Sequence, residues 1–171
     1  EQLYVEVYGL GAAFPIAFGA VAIAISIGTF INSRLVIRHG MRRLSHTMII
    51  GFTLTASTLA IAAAIGNVSF PAFFALLALT FAMFGFIASN FNALAMEPVG
   101  RIAGSASALY GAVTATGGAI FGALIARAFD GTIIPFAVGL AAAGLATLLA
   151  VLWTERGKLF TTGSAAAGGS P

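Results

Sequence analysis

Four stretches of this chain contain no Asp, Glu, Lys or Arg, and they restrict its fold more than any other feature. Val7 to Ser33 runs 27 residues, Leu44 to Met96 runs 53, Ile102 to Ala126 runs 25 and Gly131 to Thr154 runs 24. One bilayer crossing takes about 20 apolar residues. The longest run therefore holds two crossings, and it carries its own divider at Gly66 to Pro71, a Gly/Asn/Ser cluster closed by proline. The pattern predicts five spans, near 13–32, 46–65, 71–95, 103–126 and 133–153. Strands of a membrane barrel alternate apolar and polar residues over about ten positions. The stretch Phe70 to Ala88 does not alternate and is rich in Ala, Leu and Phe. The expected fold class is all-α, a polytopic membrane helix bundle with five transmembrane helices.

Composition agrees. The chain is 60% hydrophobic and 8% charged, against roughly 25% charged in soluble domains. A small soluble domain keeps too much surface in water to hide this much apolar material. The net charge is only +3, which gives no reason to expect a nucleic-acid partner. There is no Cys, and the five acids are scattered. No metal-ligand set, nucleophile–base pair or phosphate-binding loop is visible, so neither an enzyme nor a cofactor is expected. The lipid bilayer is the first partner the sequence calls for.

The basic residues are distributed unevenly. Arg34, Arg38, Arg42 and Arg43 fall within ten positions, and no other Lys or Arg precedes Arg101. With five spans, the loop at 33–45, the loop at 96–102 and the C-terminal tail share one side, and they hold seven of the eight basic residues, leaving Arg127 opposite. Loops rich in Lys and Arg stay in the cytoplasm. The expected topology is a multi-pass protein of the inner (plasma) membrane, N-terminus outside and C-terminus cytoplasmic, ending in a flexible tail over 160–171. A topology anchor held against anionic lipid accounts for the arginine cluster by itself. A second reading takes the spacing as a motif: Gly40 permits a tight turn, from which Arg38, Arg42 and Arg43 project at two helix ends. His39 and His46 fall in the same loop and are expected to be solvated.

Leu35, Arg38, Gly40 and Arg42 resemble the Gly-x-Leu-Ala-Asp-Arg-x-Gly-Arg-Arg loop of the major facilitator superfamily, with Ser33 in place of its first Gly and Ile37 in place of its Asp. Ser89 to Gly111, with its run Asn-Phe-Asn-Ala-Leu-Ala-Met-Glu-Pro, looks like the segment joining helices ten and eleven in the bicyclomycin-resistance (Bcr/CflA) branch of drug–proton antiporters. Tyr4 to Leu10 resembles the outer loop before helix eight of that branch. The resemblance runs from about Leu3 to Leu159 and makes the five spans helices eight to twelve. Halves of such transporters are built from 3+3 repeats. The resemblance thus implies that 1–159 is a partial C-terminal half and the chain a fragment whose N-terminal half is missing. It implies multidrug efflux by alternating access, driven by the proton gradient, on a small hydrophobic or cationic drug-like substrate. It also implies that the loop at Arg38, Gly40, Arg42 and Arg43 latches neighbouring helices.

Polar residues inside spans are costly and mark candidate sites. Asn90 and Asn92 lie two positions apart, about 200° around a helix, so one cavity cannot receive both. Either residue lines the substrate path or bonds a neighbouring helix. Glu97, just before Pro98, pairs either with Arg101 or with the arginine segment as a gate. The fourth span is rich in small residues, including Gly118-x-x-x-Gly122 and Gly111-x-x-x-Ala115, a spacing that favours close helix packing. Tyr110 and Thr114 on that span are further candidates for the substrate path, and Thr114 could equally bond its own backbone. Two other functions leave the same pattern: a facilitator for another small solute, and a five-helix structural or assembly module that transports nothing.

Overall fold

In a computed structural model the chain is described over residues 3–66 and 68–155. The expected tail at 160–171, with Arg156 and Lys158, lies outside the described residues, as does Asn67 of the expected turn. Five long helices follow one another: α1 (Phe14–His39), α2 (Met41–Ile65), α3 (Phe70–Met96), α4 (Ala103–Arg127) and α5 (Ile134–Thr154). All five are long and apolar enough to cross a membrane, and the described residues contain no strand. The chain is an all-α bundle of five membrane-spanning length helices.

Local chemistry explains where the helices start and stop. Pro15, Pro71 and Pro135 sit in the first turns of α1, α3 and α5, where a missing N–H leaves nothing unbonded. The arginine segment is not the loop expected at 33–45. Ser33 to His39 contains no helix breaker, so α1 continues through Arg34 and Arg38, and Arg42 and Arg43 already belong to the first turn of α2. The connection is Gly40 alone, at φ +77°, a left-handed conformation open to glycine at little cost. Its N–H donates to the Val36 carbonyl (2.9 Å), and its carbonyl accepts from the Leu44 N–H (3.2 Å).

α3 packs along both α1 and α2, and α2 packs along α5. These four helices bury a core that includes Ala56, Leu59, Phe73, Leu77 and Ala137. Residues 3–13 fold back over the end of the bundle opposite the arginines, with Tyr4 buried among Phe14, Phe70 and Phe73. α4 stands apart: it makes only slight contact with α3 and α5, and none of its residues is buried. A six-residue 3-10 segment, Glu97–Ile102, leads into it, with a non-helical kink at Val99.

Candidate functional site

The best-defined polar feature within the spans joins α1 to α3. Asn32 Nδ2 donates to Asn90 Oδ1 at 2.9 Å, and Asn90 Nδ2 donates to Asn32 Oδ1 at 2.9 Å. Both residues are buried, 5% and 2% exposed. One turn or so toward the other end, the two helices touch backbone to backbone. A Cβ on Gly28 would lie 2.0 Å from the Ala82 carbonyl oxygen, and one on Gly85 would lie 2.5 Å from that of Ile25. Without those glycines the axes would stand too far apart for two short amide side chains to meet. Asn90 is thus a helix-joining residue here. Asn92 is exposed on another face of α3, as the angular argument requires.

Asn32 was not among the sequence candidates. It sits at the end of a charge-free run beside Arg34, where polar residues are unremarkable, and nothing local reveals a partner 58 positions away. Tyr110 and Thr114 lie one turn apart on α4, remote from the asparagine pair in the packing order. The Thr114 hydroxyl donates to the Tyr110 carbonyl at 2.8 Å. The small residues of α4 pack on nothing described: a Cβ at Gly111, Gly118 or Gly122 would meet no atom within 4 Å. Close approach instead uses glycines on the other helices, such as Gly28, Gly85 and Gly144, because spacing defines a smooth face but not what lies against it.

At the arginine-rich end, Arg42 Nη1 lies 3.5 Å from Glu155 Oε1, tying the start of α2 to the end of α5. The first turn of α2 has two arginines and no acid, an arrangement that opposes the helix dipole, and Glu155 offsets it from the neighbouring helix. His46 is not solvated as expected. It is 4% exposed, one turn inside α2, with Nε2 4.0 Å from the same Glu155 oxygen. Helix α2 begins five residues before His46 and rolls it onto the packed side, whereas His39 is exposed at the end of α1 and bonds the Leu35 carbonyl. Glu97 is exposed and makes no ion pair among the described residues, in which the side chain of Arg101 is not included. With Arg42, Phe91 and Glu155 it borders a hollow of about 630 Å³. Arg38 and Arg43 are exposed.

A second hollow, about 310 Å³, opens toward the other end between α1 and α3 and is lined largely by aromatic rings. Along α3 the order is Phe81 at the aromatic hollow, then Gly85, then Asn90, then Phe91 at the arginine-end hollow. Along α3 the glycine contact and the amide pair thus lie between the two hollows, of which only the aromatic one is bordered by α1. Among the described residues no group of three His, Asp or Glu side chains is placed to hold a metal. Comparison of the chain with family models, with curated proteins and with solved structures finds no match.

Proposed function

We propose that the chain is part of a secondary active transporter, a drug–proton antiporter working by alternating access, with the arginine-rich end in the cytoplasm. The observation that supports this reading best is a hollow toward each end of the bundle, with the close-packed α1–α3 contact at Gly28, Gly85, Asn32 and Asn90 between them along α3. A protein that exposes a solute to each side in turn needs such a barrier between two vestibules. The paucity of charge within the spans suits a hydrophobic solute, since a buried ion of either sign would require a paired counter-charge.

The test is efflux. The product of the complete reading frame, expressed in an efflux-deficient bacterium, should lower accumulation of a lipophilic fluorescent drug, and a protonophore should abolish the difference. Equal accumulation with and without the protein refutes the proposal. One observation favours a non-transporting five-helix module instead: α1, α2, α3 and α5 pack together with no unpaired buried side-chain polar atom among the described residues. A module predicts that the 171-residue chain is a monodisperse monomer in detergent and changes drug accumulation in no strain.

A further inference from the structure

The aromatic hollow and the segment over it carry more than a general role in transport. Six rings line the hollow: Tyr4, Phe14, Phe18, Phe73, Phe81 and Phe136. No charged residue lines it, and Glu6, on the covering segment, is exposed and outside it. Its volume of about 310 Å³ lies at the small end of the range for small-molecule sites, ~300–1,000 Å³. Several rings already meet edge to face, Tyr4 with Phe14 at 5.6 Å and with Phe73 at 6.2 Å, the arrangement aromatic surfaces prefer. A flat ring entering this space would find edges and faces set at fixed angles.

Residues 3–13 roof the hollow. Leu3 and Tyr4 belong to its wall. The segment is a π-type turn, Leu3–Val7, followed by a 3-10 turn, Gly11–Ala13. Two tyrosines hold it: Tyr4 is buried among Phe14, Phe70 and Phe73, the Tyr8 hydroxyl donates to the Val68 carbonyl at 3.1 Å, and the Tyr8 ring lies 5.3 Å from Phe70 and 5.2 Å from Phe73. Gly9, at φ +66° and with nothing within 4 Å of where a Cβ would stand, lies between the two turns. Burial pushes the Tyr4 and Tyr8 phenols above their ordinary value.

We propose that this hollow binds an uncharged, planar aromatic molecule and that residues 3–13 are a lid over it, hinged at Gly9 and fastened by the Tyr8–Val68 hydrogen bond. A charged ligand would meet no counter-ion in the wall. A lipid chain would fill the volume without using the fixed ring angles. In naming a substrate class this rests on the transport reading; the binding site itself does not.

The test uses the full chain in lipid nanodiscs and benzophenone, an uncharged photoreactive aromatic ketone. Irradiation followed by peptide mapping should give saturable labelling on the hollow residues. Phe18→Leu, at an exposed position that folding tolerates, should weaken the labelling. Tyr8→Phe keeps every ring contact and removes only the fastening bond, so the probe should leave about fivefold faster in a delayed-irradiation chase, the factor equivalent to one ordinary hydrogen bond. Labelling that rises linearly with probe and follows exposed residues of α4 such as Leu109 and Val113 overturns the site. Saturable labelling that oleate displaces overturns the aromatic assignment in favour of an acyl chain. An unchanged departure rate in Tyr8→Phe overturns the lid. Binding without efflux refutes the transporter and leaves the site; efflux without saturable labelling does the reverse.

Discussion

The asparagine pair offers the sharpest test of how this bundle is held. Each amide gives one hydrogen bond and receives one, both at 2.9 Å and both away from solvent. Interhelical hydrogen bonds in membrane proteins are worth ~0.6 kcal/mol on average and up to ~1.7, so the pair contributes about 1–3 kcal/mol. Leucine branches at the same carbon as asparagine and is a fair replacement in shape. Asn32→Leu or Asn90→Leu removes both bonds and leaves the other amide buried without a partner, so each single change should cost about 2 kcal/mol. The double change Asn32→Leu/Asn90→Leu orphans nothing. It should cost no more than either single change, giving a coupling energy of about 2 kcal/mol. The assay is reversible unfolding in mixed micelles titrated with dodecyl sulfate, read by circular dichroism and by the chain's one tryptophan, Trp153. Asn92→Leu, at an exposed position on the same helix, is the control and should stay within about 0.5 kcal/mol. Single costs that add in the double variant, to within about 0.5 kcal/mol, would refute the reasoning.

The glycines give a paired prediction. Gly28→Ala would put a methyl 2.0 Å from the Ala82 carbonyl oxygen and should destabilise by about 2–3 kcal/mol or more, whereas Gly118→Ala meets open space and should be neutral or stabilising by up to ~1 kcal/mol; thermal unfolding of both compares one chemical change in two settings. Arg42→Ala or Glu155→Gln should cost less than about 1 kcal/mol, because the 3.5 Å pair has its guanidinium half exposed, and 0.5 M salt should erase most of the difference. Asp130 Oδ1 accepts from the Thr132 hydroxyl (2.6 Å) and backbone N–H (3.0 Å), and the hydroxyl bond above all holds the carboxyl below its ordinary value. A carboxyl lowered in the folded state stabilises above its unfolded pKa of about 3.9 and loses that contribution as pH falls through the folded value. The Thr132 amide resonance should therefore stay constant down to about pH 4, shift only in stronger acid, and lose that shift in Asp130→Asn.

The elements were legible because the physics that makes them is local. A charge-free run of 24–27 residues has one good solution in hydrocarbon, a helix that bonds its own backbone. Gly40 and the Gly66–Pro71 cluster announce their turns by residue type. The arginine segment was read less well. A loop was expected where helix continues, because charge marks the end of the apolar stretch and not the end of the helix. Long arginine stems reach the interface from helical positions. His46 is buried for the same reason, carried into the bundle by a helix that begins five residues earlier.

The candidate site divides along the same line. Sequence marked Asn90 as a costly polar group in a span and limited it to one of two roles, since hydrocarbon leaves a polar side chain few options. It also ruled out a shared cavity for Asn90 and Asn92 from helix geometry alone. Only the tertiary structure supplied Asn32 as the partner, Gly28 and Gly85 as the close contact that lets two short amides meet, and Glu155 as the acid that Arg42 faces. The Gly-x-x-x-Gly spacing of α4 shows the difference most plainly. Composition determined that this helix has a smooth face, but contact is a relation between two surfaces, and among the described residues that face lies against nothing. Hydrophobicity and charge along the chain decide how many helices cross and where they turn. Which side chains touch depends on how those helices are set against one another, and that is decided only when they pack.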